Sequence, residues 1–120
     1  MPALALLASA ILACTVTDGD TLRCGAERVR LIGIDAPELP GHCPSWRRCT
    51  PGDGPASKAT LESTIGNRRV RLDRHGKDHY GRTLAIAWAG RVNLSCSQLA
   101  AGQAVYVERW DSGGAIGRCR

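Results

Sequence analysis

Six cysteines in a chain of 120 residues limit the possible folds more than any other feature of this sequence. No pair has the CxxC spacing of a zinc ribbon or a redox motif. An even count at loop-like spacing reads as disulfides, and so as an oxidising compartment. The length fits one domain, with room for a real core but little stability to spare. Its loops would then be tied covalently, and the pairing has to come from local structure.

The first half supplies part of that pairing. Residues 11–17 read as a strand, Asp18-Gly19-Asp20 as a turn, and Thr21 to Cys24 as the returning strand. Gly25-Ala26 turns again into a third strand, Arg28 to Ile34. Cys14 and Cys24 lie equally far from Gly19. A hairpin with a three-residue loop therefore sets them face to face, within disulfide range. Cys43 with Cys49 then closes a small loop. Cys96 is left for Cys119, tying the tail to a helix.

Further along, residues 39–55 hold four of the six prolines, three glycines and two cysteines. Such a loop in a small domain is usually functional, and this one is expected to border the active-site cleft. Lys58 to Ile65 reads as a short helix, with Pro55 near its start and Gly66 past its end. Arg69 to Leu72 alternates like an edge strand, and Thr83 to Trp88 is another strand. Asn93 can cap a helix running to Ala101 and closed by Gly102. Val105 to Val107 is a last strand. The order β-β-β-α-β-β-α-β fits a mainly β (α+β) barrel with packed helices better than a parallel sheet.

Pro2 to Ala13 is almost wholly apolar, too short to span a bilayer and of the length of a signal-peptide core. Residues 1–10 are therefore expected to be a signal peptide or its remnant, the domain to cover 11–108, and 109–120 to form a tail. The protein is expected to be exported, periplasmic or secreted. Ile11-Leu12-Ala13-Cys14 also resembles a lipoprotein cleavage box; lipidation there would exclude Cys14 from a disulfide. The formal charge is +5, and 14 of the 16 basic residues are Arg. Arg suits phosphate contacts better than Lys, and a basic balance favours a polyanionic partner such as nucleic acid.

Four segments carry candidate chemistry: Asp18-Gly19-Asp20-Thr21, Arg30 to Glu38, Gly54-Pro55-Ala56-Ser57 and Asp78-His79-Tyr80-Gly81-Arg82. Singly each is weak, since a DGD is commonly a turn and a YGR a turn into a strand. Together they offer hard oxygen ligands for a divalent cation, a carboxylate beside it in Glu38, and two arginines to hold a phosphate. One difficulty stands in the way. Arg30 and Asp35 are five apart, so strict alternation puts them on opposite faces. They converge only if the strand bulges or ends between them, with Gly33 as a plausible bulge.

In this order the DGDT turn, the R-x-x-x-x-D-x-P-E run, the GPxAS helix start and the D-x-Y-G-R segment resemble the staphylococcal nuclease (thermonuclease) family from about Cys14 to Val107. The resemblance implies a five-stranded OB-fold barrel with helices. It implies calcium-dependent hydrolysis of DNA and RNA to 3′-phosphates, with one Ca²⁺ per site and single strands favoured. Asp20 and Asp35 match the carboxylate ligands and Ala36 the carbonyl ligand, while Asp18 stands behind them. Glu38 matches the general base, Arg30 and Arg82 the phosphate-binding arginines, and Tyr80 a tyrosine near the terminal phosphate. The family's third helix is missing or replaced here, because residues 109–120 are Gly-rich and short. A monomer without a membrane span is expected.

Beyond the motif, Arg47 and Arg48 are candidates for further phosphate contacts. His42, His75 and His79 read as surface or loop residues. Trp46 and Trp110 could stack on bases, although Trp110 reads more naturally as a cover for the barrel. Two other functions compete: a non-catalytic OB module that binds nucleic acid or another partner, and a disulfide-stapled interaction protein. Retention of Asp20, Asp35, Glu38, Arg30 and Arg82 speaks against both.

Overall fold

Apolar residues alternating with polar ones from Thr15 to Leu31 build the meander that organises the molecule. The computed structural model describes residues 11–119, so the expected export signal at 1–10 lies outside the described residues. Strands β2 (Thr15–Asp18), β3 (Thr21–Cys24) and β4 (Glu27–Leu31) pair antiparallel in sequence. Leu22, Val29 and Leu31 point inward and are fully buried. The first hairpin differs from expectation in one detail. Its loop is the tight turn Gly19-Asp20, with Asp18 opposite Thr21, and a register shift between Val16 and Asp18 takes up the extra residue. Thr15 therefore still faces Arg23, and Cys14 is bonded to Cys24 with a Cα separation of 4.1 Å. Cys43–Cys49 and Cys96–Cys119 are the other two bridges.

The strand expected over 11–17 is broken at Ala13-Cys14. Its first piece, β1 (Ile11–Leu12), pairs with β6 (Val70–Lys77), at the opposite end of the strand order from β2. That order is β1-β6-β7-β4-β3-β2, with β7 at Thr83–Ala89. Since β1 and β2 are separated by only two residues, the sheet has to curl until its ends meet. The result is the expected barrel of five strand positions, with β4 and β7 as its parallel pair. Strand β6 is longer than expected and is no edge at its start, where Val70 is fully buried between Leu12 and Ala89. Its outer half, Asp73 to Lys77, is exposed and kinks near Gly76, where the register with β7 shifts.

Two helices cover the barrel. The first, α1 (Gly54–Ile65), starts four residues earlier than expected. The Asp53 carboxylate accepts from the Ala56 N–H, and Pro55 sits in the first turn, where its missing N–H costs nothing. It buries Leu61 and Ile65. The second, α2 (Leu94–Ala100), is capped by Asn93, whose side chain accepts from the Cys96 N–H. Short strands β5 (Ile34–Asp35) and β9 (Val105–Tyr106) pair with each other in a separate sheet, and β8 (Val92–Asn93) pairs antiparallel with the end of β7. The tail forms two 3-10 turns, Glu108–Trp110 and Gly117–Cys119. Among the described residues no helix is long and apolar enough to cross a membrane.

Candidate active site

The Asp18-Gly19-Asp20 turn lies directly on α1, and only glycine fits at its centre. A Cβ on Gly19 would stand 1.9 Å from the Ser57 Oγ and 2.8 Å from the Ala36 Cβ. Buried Gln98 of α2 braces the same turn, its amide donating to the Gly19 carbonyl at 2.8 Å and to Ser57 at 3.0 and 3.2 Å. Two helices thus fix the loop that presents Asp20. The Asp20 side chain is buried and accepts from the Thr21 hydroxyl at 2.9 Å and from the Ala36 N–H at 2.8 Å. Burial pushes its carboxyl up to about 6; nearby Arg30 pulls the other way and Asp18 adds to the rise.

The Arg30–Asp35 difficulty is resolved by ending the strand. Strand β4 stops at Leu31, Ile32-Gly33 turns with Gly33 at φ +79°, and the chain re-enters as β5 in another sheet. Gly33 is therefore a turn residue and not a bulge. Across that turn Arg30 donates from Nη1 to the carbonyls of Leu31 and Ile34, both at 2.9 Å. Its Nη2 lies 3.4 Å from Asp20 Oδ2 and 3.3 Å from Asp35 Oδ1, and so stands between the two carboxylates. Trp110 packs on its guanidinium, 5.2 Å from the ring centre.

The long loop enters the site in a way the sequence does not show. Arg47 donates to Asp35 Oδ2 at 2.8 Å and to Glu38 Oε1 at 3.1 Å. The Thr50 hydroxyl also donates to Asp35 Oδ2, at 2.6 Å. Arg48 is exposed and outside the cleft. At the far end of the loop a Cβ on Gly54 would stand 2.1 Å from the Glu38 carbonyl oxygen, so the start of α1 is pressed against the Glu38 backbone.

Arg82 stands on a separate support. Asp78 accepts from the backbone N–H groups of Tyr80 and Arg82 and from Arg82 Nε, the last at 2.8 Å. Burial would raise the Asp78 carboxyl, but these donors hold it below the usual carboxylate range. Arg82 also lies over the Tyr80 ring at 5.5 Å, and Arg28 donates to the Tyr80 carbonyl. Asp18, Asp20, Glu38, Arg30, Arg47, Tyr80 and Arg82 all line one cleft of about 830 Å³. His42, His75 and His79 lie on its rim, and His75 bonds to Ser112 and Asp73. Asp35 and Ala36 are buried behind it. The supports Asp78, Thr50 and Gln98 carry no motif signal beyond the D-x-Y-G-R segment that contains the first.

Among the described residues no three of His, Cys, Asp and Glu stand close enough together to hold a metal ion. The physical reason is visible: guanidinium groups of Arg30 and Arg47 sit among the carboxylates. The donor set nevertheless suits a hard divalent cation, since it is all oxygen and includes a buried carboxylate whose charge burial disfavours.

A barrel of this topology, carrying acids and arginines in one cleft, defines a class that the comparisons make specific. The profile described as "Staphylococcal nuclease homologue" matches residues 28–115. The chain belongs to that family. It is 36% identical over 94 residues to an "Uncharacterized endonuclease" of Haemophilus influenzae, covering 74% of this chain and 47% of that one. It is 43% identical over 83 residues to a "Thermonuclease" of Staphylococcus intermedius, covering 62% and 46%. It is also 36% identical over 69 residues to "Succinoglycan biosynthesis protein ExoI" of Rhizobium meliloti, covering 57% and 36%. The chain spans about half the length of the first two of these relatives.

Proposed function

We propose that this protein is an exported nuclease that hydrolyses phosphodiester bonds of DNA and RNA with one calcium ion and leaves 3′-phosphates. The observation that carries this reading is the meeting of Asp20, Glu38, Arg30 and Arg82 in one cleft, with Asp35 directly behind it. Asp20, Asp35 and the Ala36 carbonyl would hold the cation, with Asp18 behind them. Bound there, it would neutralise charge on the attacked phosphate and help to position a water. Glu38 accepts the proton of that water as its oxygen attacks phosphorus. Arg82 and Arg30 bind the non-bridging oxygens, which gain charge as the water oxygen attacks; the bond to the 5′-oxygen then breaks, and that oxygen leaves as an alcohol on taking a proton from solvent. Tyr80, beside Arg82, contacts the terminal phosphate. Three bonded cystines and the nuclease names of the relatives support export and a nucleic-acid substrate.

The test is incubation with denatured DNA, with calcium and with chelator. Cleavage only with calcium, giving 3′-phosphate ends, is expected; binding without cleavage would instead leave a non-catalytic OB module. Arg82→Ala should lower kcat by about 10²–10³ with a smaller change in KM, since its contact tightens on the transition state. Glu38→Gln should keep cation binding but slow the chemical step. A rise in KM alone for Arg82→Ala would make that arginine a uniform substrate clamp.

A further inference from the structure

Trp46 is the most exposed large apolar side chain among the described residues, at 74%. Leaving an indole in water forgoes the stabilisation its burial would give. It is nevertheless displayed on a firmly held support. The Arg47 N–H donates to the Pro44 carbonyl, making a turn with Trp46 near its tip. The Cys43–Cys49 bridge closes the loop around that turn. On one side Arg47 is bonded to Asp35 and Glu38, and a little further on Thr50 is bonded to Asp35. The indole lines the same cleft as Tyr80, itself 53% exposed, and the cations Arg28, Arg82 and Arg109.

A cleft that sets exposed aromatic faces beside arginines fits a single-stranded polyanion whose bases are free to stack. A duplex keeps its base faces inside its own stack and offers the indole nothing comparable. We infer that Trp46 is a nucleobase-stacking residue of this cleft, open to the bases of an unpaired strand. This rests on the nuclease reading and adds to it a residue that engages the substrate's bases.

The experiment compares two oligonucleotides of equal length and charge, one single-stranded with bases and one abasic, cleaved by the disulfide-bonded protein with calcium. The parent should favour the base-bearing strand in kcat/KM. Trp46→Ala should reduce that preference about 5- to 100-fold, chiefly through KM, as stacking energies of this kind require. Trp46→Phe should restore most of it and Trp46→Leu little, with melting temperatures confirming that all variants fold. A preference that survives Trp46→Ala, or returns equally with Leu and Phe, would overturn the assignment while leaving the nuclease intact. A parent that cleaves neither strand would overturn both.

Discussion

Both carboxylate oxygens of Asp35 are engaged: Arg30 meets one, and Arg47 and Thr50 meet the other. A cation taking Asp35 as a ligand therefore competes with Arg47. Arg47→Ala should tighten calcium binding about 3- to 10-fold, the equivalent of losing a partly exposed ion pair of about 1 kcal/mol. Calorimetric titration with calcium checks this, and weaker binding in the variant would show that Arg47 helps to hold the site together for the metal. Asp20 tests the same conflict through stability. Its folded carboxyl titrates near 6 against 3.8 when unperturbed, so the folded state holds its proton more tightly. Its contribution is therefore most favourable below pH 3.8 and is lost as pH rises through 6. Asp20→Asn, in chelator, should melt higher than the parent at pH 7, with the difference shrinking on acidification toward pH 4. The Thr21 hydroxyl can reverse to accept from the amide nitrogen while the amide oxygen accepts from Ala36. A variant less stable than the parent at pH 7 would show that the lost partners outweigh the buried charge.

At the scale of elements, residues 108–119 close one side of the barrel with a single plug. Ile116 is fully buried, and a Cβ on Gly33 would stand 2.7 Å from its side chain. Asp111 holds the plug by accepting from the N–H groups of Ser112, Ile116 and Gly117 and from the Tyr106 hydroxyl. Ile116→Ala should cost about 2–5 kcal/mol, read as a shifted denaturant midpoint; a loss below about 1 kcal/mol would mean that the tail only rests on the barrel. The sequence shows Cys119 but not this plug, because one isoleucine among glycines has no periodicity. Strand β6 escapes for a related reason. Asp73-Arg74-His75-Gly76 looks like a loop, yet it is held as a strand by β7 and by Arg74, which bonds to Glu27 at 2.8 and 2.9 Å. The meander and both helices were legible because turn glycines, caps and alternation act locally. The place of Arg47 was not, since it depends on how a Pro-rich loop folds back across the site.

Across the whole molecule, three disulfides divide stability from function. Their sequence separations are 23, 10 and 6 for Cys96–Cys119, Cys14–Cys24 and Cys43–Cys49. By the chain-entropy model these correspond to about 3.4, 2.7 and 2.2 kcal/mol, comparable in total with the roughly 5–15 kcal/mol of a typical domain. The weakest staple closes the loop that carries Trp46 and Arg47, both near the proposed chemistry. Removing it by Cys43→Ser with Cys49→Ser should therefore lower the melting temperature least but raise KM for single-stranded DNA most. Cys96→Ser with Cys119→Ser should do the reverse, because that bridge fastens the tail to α2, away from the loop. Both variants are to be measured against the parent well below their melting temperatures, so that unfolding does not enter the kinetics. If KM rose in proportion to lost stability in both, the loop staple would be ordinary scaffolding. A change in KM confined to the Cys43–Cys49 variant would show that oxidation of these two cysteines, by closing that loop, sets the geometry of the substrate cleft.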